Sequence, residues 1–368
     1  MAIEFSLIIP TYNRIGALRH CLKHIERLNF PKKSFEVVLV DDGSKDETSQ
    51  LKAEDFSFNI TVIHQPNSGT SAARNCGIRA AKGLICMFVD DDVMLHPDLL
   101  LEHQRLHKAE PNLVVRGPVI NFASLPCPLD TDDELRQSAL AASEKLNETA
   151  CQQLRQISEA NSSFGSANSS TTSFLSTGAP QAAHSDKESS GFFNRLNSLW
   201  KNWSGDDLQM LKHFSMNYLC TSNASLYRHH LIAAGLFDTS FPRWEDAELA
   251  VRLKRLGLKR RFSLNAIVYH LKPPETWKAR IRTAQKDGAS AAELYLRYPS
   301  FLMRLRSGLH FANSWRNQLF TEGPWQAALA ASARGESKVF PQKFAQDMLI
   351  EKAYLKAGLN RLKRTQSF

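Results

Sequence analysis

Three consecutive aspartates, Asp90, Asp91 and Asp92, follow the apolar residues 85–89. The apolar run predicts a buried β-strand that delivers three like charges to its carboxyl end. Crowded carboxylates repel one another and lose solvation unless a hard divalent cation accepts their oxygens or they extend into solvent. Because ligands of open α/β sheets bind at the carboxyl ends of strands, the triplet predicts a Mg²⁺ or Mn²⁺ site facing a phosphorylated ligand. An exposed Asp-rich turn is the alternative that the triplet alone leaves open.

A second group of carboxylates, Asp41 and Asp42, follows another apolar run at residues 35–40, and residues 45–48 then predict the start of a helix. A helix cap explains a single Asp or Ser, but it needs one residue and not two or three. Residues 5–10 predict a further strand, followed by Thr11, Asn13 and Arg14 and by a helix over 15–28. Capping and solvation are the alternative to nucleotide contact for Asn13 and Arg14.

Small residues at positions 67–77 connect a short predicted strand, 60–64, to a helix that ends near Gly83. Glycine and serine at a helix entrance let backbone N–H groups approach an anion, and Arg74 adds a guanidinium, although an ordinary loop would look similar. A helix over 99–109 and a strand over 114–122 complete a parallel α/β half. Right-handed crossovers place the strand ends on one edge, so these signals converge on one site.

Composition describes an ordinary globular chain. Its 368 residues suit one large or two medium domains, and 43% are hydrophobic and 23% charged. The net charge of +9 favours anionic partners without choosing among phosphates, nucleic acid and an anionic membrane surface. The six cysteines form no C-x-x-C pair, which indicates reduced thiols and no structural zinc. The N-terminal sequence resembles no signal peptide and no apolar run reaches spanning length, so we expect a cytoplasmic protein, free or at the inner face of the cell membrane.

The second half of the sequence begins with a change in composition. Residues 125–191 are rich in Ser, Ala, Asn, Thr and Gln, which predicts a helix-prone part over 132–160 and then a flexible insertion. Residues 192–203 carry aromatic and basic side chains, and either membrane contact or packing on the main body would suit them. A strand over 218–228, a helix over 245–257 and a strand over 266–269 follow. The region from residue 277 is helical and basic, with a solvated face or anionic lipid as alternatives.

Together, these segments resemble the family 2 glycosyltransferases of the GT-A fold. The resemblance covers residues 3–270 without the Ser-rich insertion. It rests on Leu7-Ile-Ile-Pro-Thr-Tyr-Asn-Arg14, Val38-Leu-Val-Asp-Asp-Gly-Ser44, Gly69-Thr-Ser-Ala-Ala-Arg-Asn75 with Gly77, Phe88-Val-Asp-Asp-Asp92, Asn223 and Trp244-Glu-Asp246. The Trp-Glu-Asp segment with a later histidine is similar to chondroitin-polymerase-like and galactosyltransferase-like enzymes.

The resemblance implies an α/β fold with a nucleotide-binding half over residues 1–124, a variable insertion over 125–210, an acceptor-binding half over 211–275 and a helical extension over 276–368. It also implies roles for individual residues. The implied nucleotide-sugar-binding residues are Pro10, Thr11, Asn13, Arg14, Asp41, Asp42, Arg74, Asp90 and Asp91. The implied metal ligands are Asp90, Asp92 and His270. The implied catalytic residues are Asp246, as the base, and Glu245 beside it, and the implied acceptor-binding residues are Asn223, Trp244 and Glu245.

The expected activity is an inverting, metal-assisted transfer of a sugar from a nucleotide sugar, a UDP sugar, to a hydroxyl of a glycan or lipid-linked acceptor. A divalent cation suits a diphosphate leaving group, and a carboxylate such as Asp246 suits the activation of a hydroxyl. Two alternatives are a catalytically idle nucleotide-sugar-binding protein and a Mg²⁺-binding phosphate-receiver module with Asp41, Asp42 and Asp90. Nucleic acid is not an expected partner, because the basic residues are not interleaved with aromatics in a known module.

Overall fold

The structure is a computed structural model that describes residues 2–125, 127, 129, 219–322 and 324–366. The sequence predictions for 132–160, for the rest of the insertion and for 192–203 lie outside the described residues. Ten strands and ten α-helices are assigned in the described parts of the chain. The strands are β1 Phe5–Thr11, β2 Phe35–Asp41, β3 Asn59–His64, β4 Ile85–Phe88, β5 Val93–Leu95, β6 Leu113–Arg116, β7 Val119–Phe122, β8 Ala224–Tyr227, β9 Lys259–Phe262 and β10 Val268–Leu271.

The helices alternate with strands in the first half and form a separate group at the end. They are α1 Ile15–Glu26, α2 Thr70–Ala80, α3 Leu99–Ala109, α4 Arg228–Ala233, α5 Glu245–Arg255, α6 Trp277–Arg297, α7 Phe301–Arg306, α8 Phe311–Thr321, α9 Gln326–Arg334 and α10 Gln342–Gln366. This order confirms the predicted α/β class with a helical extension after the last strand.

Seven strands form the main sheet, in the order β3-β2-β1-β4-β8-β6-β9. The first four are parallel, as predicted, while β8 runs antiparallel to both β4 and β6. A smaller sheet has the order β5-β10-β7. Because β5 follows β4 closely and pairs with β10, the acidic triplet lies where the chain passes from one sheet to the other.

Side chains of the parallel strands alternate between two hydrophobic layers, because successive residues of a strand point to opposite faces of a sheet. In β1, Phe5, Leu7 and Ile9 belong to one buried cluster. Ile8 belongs to the cluster on the other face. Burial on both faces explains why these strands read as nearly continuous apolar runs in the sequence.

Four predicted elements differ from the structure. The strand expected over 218–228 is the short strand β8, and helix α4 already begins at Arg228. The single strand expected over 114–122 is two strands, β6 and β7, which belong to different sheets and are separated by Gly117 and Pro118. The helix expected after residue 45 is only a 3-10 turn, Glu47–Gln50, because the backbone becomes extended at Leu51. His270 lies inside β10 and not after its end. Strands β5 and β9 were not predicted, because three or four residues carry little periodicity.

Gly117 lets the chain change sheets at a very close contact. A Cβ atom at this position would lie 1.8 Å from the carbonyl oxygen of Ala266, which is backbone and therefore cannot move aside cheaply. Gly16, near the start of α1, has nothing within 4 Å of the same hypothetical atom. The two glycines therefore form a matched pair for testing the junction.

We expect Gly117→Ala to lower the free energy of unfolding by about 1–3 kcal/mol, because the added methyl group forces backbone to shift. Gly16→Ala should leave it unchanged or raise it by up to about 1 kcal/mol, since alanine is the better helix former. Urea denaturation of both variants measures the two values. Equal stability of Gly117→Ala and the wild type would contradict the close contact.

Candidate active site

The acidic triplet is held by residues from the end of β1. Thr11 Oγ1 donates a hydrogen bond to Asp91 Oδ2 at 2.8 Å. The Arg14 guanidinium lies 2.8 Å from Asp91 Oδ1 and 2.9 Å from Asp92 Oδ2. Asn13 between them has a φ of 53°, which is rare for a residue with a side chain. The turn after β1 therefore brings one cation against two of the three aspartates.

Asp91 points into the protein and is buried. Burial raises the pKa of its carboxyl to about 6, although Arg14 and Thr11 oppose this rise. Its oxygens already accept bonds from Thr11 and Arg14. In this arrangement Asp91 fixes the turn between β1 and α1.

Asp90 contacts residues that are distant from it in the sequence. Ser222 Oγ donates a hydrogen bond of 2.6 Å to Asp90 Oδ2, and Arg74 donates one of 2.9 Å to Asp90 Oδ1. The same guanidinium donates a 2.7 Å bond to Glu245 Oε1. Arg74 is itself buried, so this cation joins the carboxylates of Asp90 and Glu245 inside the protein. Ser222 was not singled out from the sequence, and its position beside Asn223 was the only signal.

Asp92 lies next to His270. The two atoms Asp92 Oδ1 and His270 Nε2 are 3.3 Å apart, and Asp92 Oδ1 is buried without accepting a hydrogen bond. Burial alone would raise the pKa of Asp92, but His270 and Arg14 together lower it below its usual value. The residue that was predicted as a third metal ligand is thus beside one of the two predicted aspartates.

The donor set of Asp90, Asp92 and His270 suits Mn²⁺ or Mg²⁺, since both accept carboxylate oxygen and Mn²⁺ also accepts imidazole nitrogen. The buried Asp92 Oδ1, which has no hydrogen-bond donor, is consistent with a cation at this point. Among the described residues, no group of three or more His, Cys, Asp and Glu side chains is already assembled as a metal cluster. Asp90 is turned towards Arg74 and Ser222 instead.

Asp42 is engaged by a loop. Its oxygens accept hydrogen bonds from Gln65 Nε2 at 2.6 Å and from the backbone N–H groups of Ser68 and Gly69, both at 2.9 Å. These are the residues that lead into α2. The carboxylate therefore fixes the glycine-containing loop that positions Arg74, which lies further along α2.

Asp41 is the last residue of β2 and holds the turn that follows it. Its carboxylate accepts from the backbone N–H of Ser44 at 2.9 Å, and His64 Nδ1 lies 3.0 Å from it. Burial raises the pKa of Asp41, but the bonds from Ser44 and His64 outweigh this and lower it. Asn13 accepts from the N–H of Lys45 at 2.7 Å, so the ends of β1 and β2 form one connected surface.

Glu245 and Asp246 begin helix α5, and Trp244 before them has a left-handed backbone with φ of 65°. Backbone strain of this kind in a residue with a bulky side chain is uncommon and clusters at functional sites. Asp246 is half-buried and its Oδ1 accepts from the N–H of Ala247 at 2.7 Å. Desolvation by the surrounding protein and the charge of Glu245 raise the pKa of Asp246 to about 7, although Arg74 opposes them.

Asn223 and Pro10, two of the predicted site residues, are part of the protein framework. Asn223 is fully buried and donates through Nδ2 to the carbonyls of Pro118 at 3.1 Å and Ala266 at 2.7 Å. Asn223 thereby joins three segments of the chain. If Nδ2 donated a hydrogen bond to an acceptor substrate, it would lose one of these two bonds to the backbone. Pro10 is a buried residue of β1, paired in register with Val40. The structure therefore gives both residues positions within the protein framework.

Removing the cation at the centre of this network tests it. We expect Arg74→Gln, without added divalent metal, to lower the free energy of unfolding by about 3 kcal/mol, because two carboxylates lose a buried partner. Arg19→Gln is the control, since Arg19 and Glu47 form an exposed pair whose loss costs less than about 1 kcal/mol. Chemical denaturation measures both values, and equal effects would contradict the central position of Arg74.

The known proteins that resemble this chain are glycosyltransferases. Residues 6–159 match the family model described as Glycosyl transferase family 2. The uncharacterized glycosyltransferase YfnE of Bacillus subtilis is 28% identical over 283 residues, which cover 75% of this chain and 67% of YfnE. The putative glycosyltransferase EpsH of the same organism is 32% identical over 129 residues, or 34% of this chain and 37% of EpsH. The chain thus aligns with little more than a third of EpsH.

Among solved structures, the mannosyltransferase PcManGT from Pyrobaculum calidifontis, determined in complex with GDP-Man and Mn²⁺, resembles the chain with a TM-score of 0.56. The similarity covers 98% of this chain and 87% of PcManGT at 19% sequence identity, so it bears on the fold. This agrees with the predicted GT-A architecture. The matched residues 6–159 include the ends of β1, β2 and β4 that build the site, so this part of the chain is a glycosyltransferase domain of family 2.

Proposed function

We propose that the chain transfers a sugar from a UDP sugar to a hydroxyl group of a glycan or lipid-linked acceptor, and that it inverts the anomeric centre. The observation that carries the proposal is the Asp246 carboxyl, whose pKa is raised to about 7 at the start of α5. Its neighbour Glu245 shares the Arg74 guanidinium with Asp90, so the proposed base lies close to the end of β4.

Asp246 suits the work of a general base. An acceptor hydroxyl is a poor nucleophile, and a carboxylate that removes its proton during attack makes it effective. A base works best when its pKa lies near the operating pH, which requires an Asp carboxyl to be raised from its ordinary value. Burial and Glu245 supply that rise. Attack from the side opposite the leaving group then gives inversion.

The donor is proposed to bind along the connected ends of β1, β2 and β4. The residues assigned to it are Pro10, Thr11, Asn13, Arg14, Asp41, Asp42, Arg74, Asp90 and Asp91. Of these, Arg14 and Arg74 are the cations, and a diphosphate would meet both of them. Asp90, Asp92 and His270 would hold Mn²⁺ or Mg²⁺, which supplies positive charge to the leaving diphosphate. Asp41, Asp42 and Asp91 support this surface through their bonds to its loops.

The acceptor is proposed to approach from the side of α5, with Glu245 and Trp244 in contact and Asn223 holding the segments behind them. This assigns the donor to residues 1–124 and the acceptor to residues 211–275, with 125–210 inserted between them and 276–368 following. Trp244 packs against two apolar clusters of the helical extension, one containing Leu294 of α6 and the other containing Leu309 between α7 and α8. The proposed acceptor side is therefore supported by the helical extension.

Asp246→Asn tests the base. We expect turnover to fall by roughly 10²- to 10⁴-fold, because the amide cannot take the proton, while stabilisation by UDP is kept. In the wild type, kcat/KM should rise with pH up to about 7 and then level, because the carboxylate form increases as the pH passes the pKa of Asp246. The variant should lack this rise. Release of UDP, measured from pH 5 to 9, reports both effects.

Asp98→Asn is the matched control for that experiment, because Asp98 is exposed and lies at the start of α3, away from α5. It should leave turnover and the pH profile unchanged. Undiminished turnover by Asp246→Asn, or a wild-type profile that is flat across pH 7, would remove Asp246 from the role of base.

Thermal stabilisation tests the donor and the metal separately from turnover. We expect UDP sugars with Mn²⁺ or Mg²⁺ to raise the melting temperature more than either component alone, since ligands that bind only the native state stabilise it. Asp92→Asn should remove the metal-dependent part, because it replaces a carboxylate ligand. Glu54→Gln, which alters an exposed acid, should keep it. Stabilisation by GDP sugars but not by UDP sugars would show that the donor nucleotide is GDP and not UDP. If no nucleotide or nucleotide sugar raised the melting temperature, the proposed donor class would be contradicted.

A further inference from the structure

Helix α8 carries a row of large apolar side chains on the side that faces away from the protein. Phe311, Trp315 and Leu319 are spaced by four residues and are 79%, 59% and 50% exposed. Residues four apart lie on the same face of a helix, so the three form one stripe along α8. The short helix α7 before it repeats the pattern with Phe301 and Leu305, which are 80% and 40% exposed.

The opposite face of α8 fixes this orientation. Asn317 and Thr321 are buried, and Asn317 Nδ2 donates a 3.0 Å hydrogen bond to the carbonyl of Met348 in α10. Arg316 pairs with Glu351 of the same helix. The polar residues of α8 hold this helix against α10. The backbone of α8 therefore directs the aromatic side chains outward, whichever rotamers they adopt.

The charge of the protein is concentrated in the same region. Residues 277–368 contain sixteen Lys and Arg against six Asp and Glu, a net charge of +10. The preceding 276 residues have a net charge of −1. All of the excess positive charge therefore belongs to the helical extension, and Arg304 lies exposed between Phe301 and Leu305. A second copy docked through this face would oppose two regions of like charge, whereas an anionic surface complements it.

We propose that α7 and α8 dock on an anionic lipid bilayer, with Phe301, Phe311, Trp315 and Leu319 entering the interfacial layer. Amphipathic helices with Trp, Phe and Leu on one side and nearby cations lie in the plane of such a surface. None of the helices in the described residues is long and apolar enough to cross a membrane. The proposal concerns binding alone and stands apart from the donor and the base assigned above.

Vesicle binding by the full chain tests the proposal. We expect the protein to float with vesicles of phosphatidylcholine mixed with phosphatidylglycerol and to remain largely unbound with phosphatidylcholine alone. Binding should fall as salt rises above physiological strength, since salt screens the attraction. The double variant Phe311→Ser/Trp315→Ser should bind at least about tenfold more weakly, because two aromatic side chains no longer leave water.

A matched pair of leucines separates the stripe from general surface apolarity. Leu319→Gln should weaken vesicle binding severalfold, whereas Leu84→Gln, at a 61% exposed leucine outside the helical extension, should leave it unchanged. All four side chains are exposed, so melting temperatures should match the wild type. Unchanged binding by the double variant would overturn the proposal. Dissociation of a dimer by that variant in light scattering, without vesicle binding by the wild type, would overturn it in favour of a second copy.

Discussion

The crowding of carboxylates at one edge of the sheet is the constraint on which the remaining site depends. Asp90 is distant in sequence from the adjacent residues Glu245 and Asp246, and crowding these carboxylates raises the free energy of their charged forms. Arg74 lies between the first two with bonds of 2.9 and 2.7 Å. Its burial removes competing water, which strengthens both interactions. The Arg74 guanidinium therefore links the segment after β4 with the start of α5.

Several supporting features make sense as ways of holding Arg74 and its partners in place. Asp42 accepts hydrogen bonds from the loop that leads into α2. Asn75, next to Arg74, forms two hydrogen bonds with the backbone of Phe237. The ring of Phe237 also lies 5.6 Å below the guanidinium. Helix α2 is therefore connected both to the loop that Asp42 holds and to the segment before α5. The same features that look like nucleotide contacts in the sequence stabilise the framework.

The helical extension contributes on two sides. Towards the site, Tyr298 donates a 2.7 Å hydrogen bond to Glu248 of α5, and Arg243 next to Trp244 pairs with Asp287 of α6. These contacts support the strained turn at Trp244 from which Glu245 and Asp246 start. Away from the site, the extension presents the apolar stripe of α8 and carries the excess positive charge of the protein. One part of the chain thus supports the start of α5 and also carries the surface that we propose for docking.

The sequence by itself determined the longer strands and helices of the first half and the acids that follow the strands, because burial on both faces leaves continuous apolar runs and a helix needs periodic ones. It also determined that Asp90 and Asp42 share an edge, since parallel strands with right-handed crossovers allow no other arrangement. These are local signals combined with a rule of chain geometry. The family resemblance alone suggested that Asp246 is a base. The local sequence does not distinguish a catalytic carboxylate from one that only interacts favourably with the helix dipole in the first turn.

Only the tertiary structure decided which group each side chain meets. Arg74 and Glu245 are 171 positions apart, and Asp90 and Ser222 are 132 apart, so nothing in their local sequence predicts their contact. The chain's change of sheet at Gly117 was equally hidden, because it depends on the close approach of Ala266. The elevated pKa of Asp246 has the same origin, since desolvation and neighbouring charge exist only once the segments pack together.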